Sequence, residues 1–166
     1  MGFQQYVILA GDRRTSELFI RPFYNLPRIK YDVMFLYPAF LEDNKKDSYI
    51  NRLFGATYIG FFNFNSAFFG WKMSANCIEL YACTNNNNNF KYHKLANISY
   101  GEIFSLTIKS TNNCFTFSIF DINNIVVCFY SVNIKNNFKL GFENSLLIAN
   151  PAGVNYDVRI VMNRKY

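Results

Sequence analysis

Polar and apolar residues alternate along most of this chain with a period of two, the signature of strands that bury one face and wet the other. Ile103 to Ser110 reads I-F-S-L-T-I-K-S, which sets Phe104, Leu106 and Ile108 on one side and Ser105, Thr107 and Lys109 on the other. Asn112-Asn113 follows as a turn, because asparagine tolerates left-handed backbone, and Cys114 to Ile122 returns as a strand rich in Phe, Thr and Ile. Ile125 to Ile134, entered through Asn123-Asn124, is apolar on both sides and predicts a strand at a sheet centre covered on both faces.

The same pattern predicts strands at Tyr31 to Tyr37, Thr57 to Phe64, Ala67 to Met73, Cys77 to Thr84, Phe90 to Ala96, Phe138 to Glu143 and Tyr156 to Met162, with weaker signals at Phe3 to Ala10 and Glu17 to Arg21. Roughly ten antiparallel strands at this spacing make an all-β chain, a sandwich or a barrel. At most one short helix is expected, between Asp47 and Gly55, with Asp47 or Ser48 as its cap and Leu53 and Phe54 packing inward. Thr84 is followed by five asparagines, Asn85 to Asn89, then Phe90. Loops of that length join hairpin strands, so the tract reads as a hairpin tip inside one domain and not as a linker. One domain spanning residues 1–166 is expected, with 1–30 serving as a peripheral arm or as edge strands.

Composition adds little chemistry. The chain is 51% hydrophobic, and its 19 Phe and 12 Tyr promise a core dense in rings. The 23 asparagines accompany many other residues with A/T-rich codons, a bias of genome composition before function. A formal charge of +6 favours anionic partners, but the basic residues are scattered, with no run longer than Arg13-Arg14, Lys45-Lys46 or Arg164-Lys165. A nucleic-acid partner is therefore not expected. Cys77, Cys83, Cys114 and Cys128 contain no C-x-x-C pair and read as free thiols. No basic n-region precedes the short apolar run Tyr6 to Ala10, and no stretch is long enough to span a membrane, so synthesis in the cytoplasm without a signal peptide is expected.

Catalytic constellations do not assemble from these residues. His93 is the single histidine, flanked by Lys91 and Lys94, and reads as a surface strand residue. Glu79, Glu102 and Glu143 are isolated carboxylates expected to sit solvated on strands, and Gly55, Gly60 and Gly70 form no phosphate loop and read as bends or bulges. No catalytic residue, metal site or cofactor is assigned. One face does carry a binding hypothesis. If Ala67, Phe69, Trp71 and Met73 point inward, then Phe68 and Lys72 point outward, joined by Glu79 and Tyr81 from the next strand. Exposed rings beside charges suit a saccharide or a protein contact. The alternative is that another strand or loop of the same domain covers this face.

Arg52-Leu53-Phe54-Gly55, then Asn65-Ser66-Ala67-Phe68-Phe69-Gly70-Trp71, then Ile78-Glu79-Leu80-Tyr81-Ala82 resembles a pattern in small uncharacterised all-β proteins of gut Bacteroidetes and their crAss-like phages. There a K-L-F-G element precedes N-S-x-R-F-G-W and I-E-L-Y-A-Y, followed by a short hairpin and a terminal A-P-H-D strand. Asn155-Tyr156-Asp157-Val158 stands at the terminal motif, and Ala67-Phe68 replaces the basic residue. The resemblance implies a concanavalin A-like jelly roll and a link to phage or gut bacteria, and it implies no activity. Two readings result. The first is a non-enzymatic structural protein of a phage virion, associated with capsid or tail and held by other protein subunits. The second is a lectin-like carbohydrate-binding module using Phe68, Lys72, Glu79 and Tyr81.

Overall fold

The computed structural model describes residues 2–12, 20–25, 28–37, 49–59, 64–74, 76–111, 114–134, 139–144, 146–149 and 157–166. Twelve strands lie in these segments: β1 Gln4–Ile8, β2 Ile20–Tyr24, β3 Arg28–Phe35, β4 Asn51–Ile59, β5 Phe64–Met73, β6 Ile78–Asn86, β7 Asn89–Ile98, β8 Phe104–Ser110, β9 Cys114–Phe120, β10 Val126–Asn133, β11 Leu140–Asn144 and β12 Val158–Lys165. They pair antiparallel into two six-stranded sheets. Sheet A has the order β1-β12-β3-β8-β9-β10, and sheet B the order β2-β11-β4-β5-β6-β7. The architecture is a β-sandwich of the jelly-roll type.

Alternation explains why these segments are strands and why they stack. β3 turns Ile29, Tyr31, Val33 and Phe35 inward, and β9 turns in Phe115, Phe117 and Ile119. From the opposite sheet β5 contributes Ala67, Phe69, Trp71 and Met73, all fully buried, as the alternation predicts. The rings interleave across the gap: Phe35 lies 5.5 Å from Trp71, and Phe69 meets Phe117 edge-on at 5.3 Å. Burying a ring of this size contributes on the order of 2 kcal/mol, and tilted or edge-on ring pairs add to that.

Three expectations are corrected. Of the segment read as a short helix, the cap candidates Asp47 and Ser48 lie outside the described residues, and Asn51 to Gly55 is the first half of β4, paired with β5. A register shift between Arg52 and Phe54 lets the adjacent Leu53 and Phe54 both be buried, which imitates a helical apolar pair in the sequence. β10 is not a covered central strand but the edge of sheet A, with Val126, Val127 and Phe129 about half exposed or more. Its apolar run reads as a centre because composition carries no information on which neighbours a strand acquires. Glu143 is not solvated: it is 1% exposed and takes hydrogen bonds from Tyr31 Oη at 2.5 Å, Arg164 Nε at 3.1 Å and Arg164 Nη2 at 2.7 Å. This bridge ties β11 of sheet B to β3 and β12 of sheet A across the sandwich.

The asparagine tract is mostly strand. β6 continues through Asn86 and β7 starts at Asn89, with Asn85 opposite Phe90 and Asn86 opposite Asn89. Only Asn87 and Asn88 form the turn, both left-handed at φ 49° and 67°, the geometry of a two-residue type I′ hairpin. The turn Asn112-Asn113 lies outside the described residues, whereas Asn124, at φ 60°, does sit in a turn entered by Asp121.

Replacing Asn87 and Asn88 together by alanine should lower stability in urea unfolding by about 2 kcal/mol, the cost of holding two β-carbons in left-handed backbone, while Asn88→Gly should leave it unchanged or raised. A second expectation concerns alkali. Burial, then the bond to Glu143, hold the Tyr31 phenol well above its usual pKa. A phenol protonated when folded and ionised when unfolded contributes stability that is complete below about pH 10 and is lost as the pH rises beyond it. The fall in unfolding free energy above pH 10, read from urea titrations, should therefore be shallower in Tyr31→Phe, by up to about 1.4 kcal/mol per pH unit.

Candidate binding face

Because the odd positions of β5 point into the core, its even positions must point away from it, and the antiparallel register carries that phase to the neighbouring strands. Phe68 stands opposite Gly55 on β4 and Cys83 on β6, and Lys72 stands opposite Glu79. Tyr81 stands opposite Gly70 and, on its other side, Lys94 of β7. The four residues picked from the sequence, Phe68, Lys72, Glu79 and Tyr81, thus share the outer face of sheet B.

They are not all exposed: the binding hypothesis needed all four in solvent, and the alternative of a covered face holds for part of it. Phe68, Glu79 and Tyr81 are only 6–8% exposed. Phe68, Tyr81 and Cys83 form a small second core against which Ile50, just ahead of β4, packs. The face is therefore part covered and part open. Gly55 and Gly70 make this second core possible, since a β-carbon on Gly55 would overlap Phe68 and one on Gly70 would come within 2.8 Å of Cys83 Sγ. Read from the sequence as bends or bulges, Gly55 and Gly70 are instead the bare sheet over which side chains lie, and Gly60 lies outside the described residues. Burial also makes the Cys83 thiol hard to ionise, its pKa pushed up to about 12.

The open part lies towards β7, which alternation loads with Phe90, Tyr92 and Lys94 on the same side. Phe90 is 47% and Tyr92 63% exposed. Their rings continue the buried ones: Phe90 stacks on Phe68 with centroids 5.9 Å apart, Tyr92 lies 6.2 Å from Phe90, and Tyr81 meets Tyr92 edge-on at 6.2 Å. Cations rim the rings. The Arg52 guanidinium sits 4.3 Å from the Phe68 centroid and the Lys72 ammonium 5.8 Å from that of Tyr81. Glu79 orders the centre, accepting from Tyr81 Oη at 2.7 Å and from Lys94 Nζ at 2.9 Å. Burial, then that bond, keep the Tyr81 phenol protonated well beyond its ordinary range.

Arg52, Phe90, Tyr92 and Lys94 escape the sequence reading for identifiable reasons. Arg52 lies in the segment taken for a helix. The other three follow an asparagine tract taken for an open loop; a two-residue turn would have set Phe90 opposite Asn85 and Tyr92 opposite Cys83. His93, on the same strand, points the other way and stacks flat on Tyr130 of β10, with centroids 4.2 Å apart and planes 6° from parallel. It closes the sandwich where the edges of the two sheets meet, beside a cavity of about 280 Å³ that Thr84, Lys91 and Val132 also line. Among the described residues no group of three or more His, Cys, Asp or Glu could hold a metal ion, and all four cysteines are free thiols.

No protein-family model matches the chain, and no curated protein sequence matches it. Solved structures do. The alginate lyase from Klebsiella pneumoniae aligns with a TM-score of 0.62 at 11% identity, over 83% of this chain and 58% of that one. A functionally unknown protein from Saccharomyces cerevisiae aligns with a TM-score of 0.50 at 8% identity, over 90% of this chain and 70% of that one. The CBM2 module of the evolved Dit of Lactobacillus casei BL23 phage J-1 aligns with a TM-score of 0.46 at 10% identity, over 88% and 64%. The chain spans less than two thirds of the lyase's length, and at these identities the likeness is one of fold: all-β, two antiparallel sheets, jelly roll.

Proposed function

We propose that the protein is a saccharide-binding β-sandwich that uses the outer face of sheet B and carries out no chemistry on what it binds. One observation carries this reading: the exposed rings Phe90 and Tyr92 continue the buried rings Phe68 and Tyr81 as one aromatic surface rimmed by Arg52, Lys72 and Lys94. Flat rings backed by a rigid sheet accept the apolar face of a sugar at little entropic cost, and the surrounding donors select its hydroxyls. Glu79 is committed to Tyr81 and Lys94, and Tyr81 holds its proton, so this pair serves the shape of the surface better than it would serve proton transfer. The alginate lyase likeness supports the fold on which such a surface is built and adds nothing about these residues.

A second reading, a subunit of a phage particle, has its own observation. β10 is an edge strand without a charge or a proline, and its flank, including Ile125, Val127 and Phe129, is largely exposed. By contrast β2 has Pro22 and Arg21, and β7 has Lys91 and Lys94, the proline and charges that usually protect a free edge. An unprotected edge fits a strand added from another subunit.

Binding on a glycan array should be saturable, and Phe90→Ala and Tyr92→Ala should each weaken it about tenfold with the fold retained, the melting temperature falling less in Tyr92→Ala, whose ring is the more exposed. Absence of any binding, or turnover of any polysaccharide, would overturn the reading. For the edge, sedimentation of the purified chain should show association that Phe129→Lys removes; a monomer at every concentration would count against the assembly reading.

A further inference from the structure

The geometry points to Arg52 as the subsite for an acidic group, a carboxylate or a sulfate ester, on the saccharide that this face binds. The inference rests on the saccharide reading and narrows it from sugars in general to acidic ones. Arg52 belongs to β4, stands opposite Gly70 and lies against the ring of Phe68 on the outer face. Its Nε is buried and has no hydrogen-bond partner among the described residues. Among the described residues no carboxylate pairs with it. Glu79, on the same face, is taken by Tyr81 and Lys94, and Glu143 faces the core and is taken by Tyr31, Arg21 and Arg164.

That situation is costly. A guanidinium does not shed its proton at any ordinary pH, so a largely buried arginine cannot escape desolvation by neutralising itself. Burial does depress its pKa, and the one group opposing that depression is the Cys83 thiol, which is itself held un-ionised. The ring of Phe68 compensates the charge only in part, because a cation over a ring retains unsatisfied N–H donors. Other charges among the described residues are matched: Arg164 forms a two-point pair with the buried Glu143, and the partly buried Asp32 receives Lys165 at 2.8 Å. Arg52 alone among these is left with an unpaired fork, in the geometry that receives two oxygens of a carboxylate or a sulfate. The rings of Phe90 and Tyr92, on the same face, would carry the sugar attached to that group.

The test uses the whole chain, labelled with 15N. Paired probes are oligogalacturonate against its methyl ester, and dextran sulfate against dextran. The Arg52 Nε–H resonance should shift with an acidic probe and stay still with its neutral partner, and the pair that responds tells carboxylate from sulfate. Arg52→Gln should weaken the acidic probe about ten- to a hundredfold, while Lys109→Gln, the same charge change on sheet A, should not. Equal loss in both variants would reduce the effect to net charge and overturn the inference. So would neutral and acidic probes that bind alike with Arg52 unmoved, although the saccharide reading would then stand. Acetate or inorganic sulfate that shifts Arg52 Nε–H, with no saccharide moving the amides of β6 and β7, would sink the saccharide reading and keep the anion site. Should Arg52→Gln fail to fold, the wild-type resonance still decides, and its silence towards every anion refutes the proposal.

Discussion

The structure depends on the interlocking of aromatic rings between the two sheets. Tyr31 and Phe54 meet at 4.6 Å, Phe54 and Phe69 at 5.4 Å, and Phe69 reaches Phe117, so the rings run unbroken from β3 through β4 and β5 to β9. A strand has only two phases, and slipping by one residue would throw the whole inward set into water. With Phe69 and Trp71 locked inward, Phe68 and Lys72 have no choice but the outer face, and hydrogen-bonded register hands the same phase to β6 and β7. The binding surface is thus the reverse side of the core, positioned by residues that never touch a ligand.

Charge plays two opposite parts in this frame. Glu143 is buried among Tyr31 and Arg164, and the bidentate geometry returns what desolvation of the carboxylate costs. Its value is as a clasp: it joins β11 to β3 and β12 near the β1 and β2 margins of the sheets, away from the His93–Tyr130 stack at the β7 and β10 edges. Arg52, in contrast, is largely buried without such an answer among the described residues. The same physics that makes Glu143 structural makes Arg52 available, because a cation left unmatched in a folded chain can still gain from an anion that arrives later.

Where alternation was strong, the strands could be read directly: β8 and β9 were legible to within two residues, and the inward set of β5 was legible in full. β4 was not, because a bulge breaks its period between Arg52 and Phe54 and leaves an apolar pair followed by glycine. β10 was read as central since an apolar run is the same string of letters at an edge and at a centre. The turn inside the asparagine tract was hidden for a different reason: five identical residues contain no mark of which two bend. The misreadings of β4 and of the asparagine turn explain why only half of the face was found, since Arg52 lies in the first and the Phe90–Tyr92–Lys94 row follows the second.

Local sequence determined the class of structure and the phase of most strands, because a period of two is imposed by backbone geometry and needs no partner to be visible. It also determined that Phe68, Lys72, Glu79 and Tyr81 would stand on one side. Tertiary structure decided the rest. It chose the order of strands within each sheet, and so left β10 at an edge and set β7 beside β6; it put Ile50 over part of the outer face and buried Phe68 and Tyr81 beneath it. It also supplied Glu143 with Tyr31, Arg21 and Arg164, all distant in sequence, and gave Arg52 no carboxylate among the described residues, since pairing depends on distances in space that the order of residues along a chain does not encode.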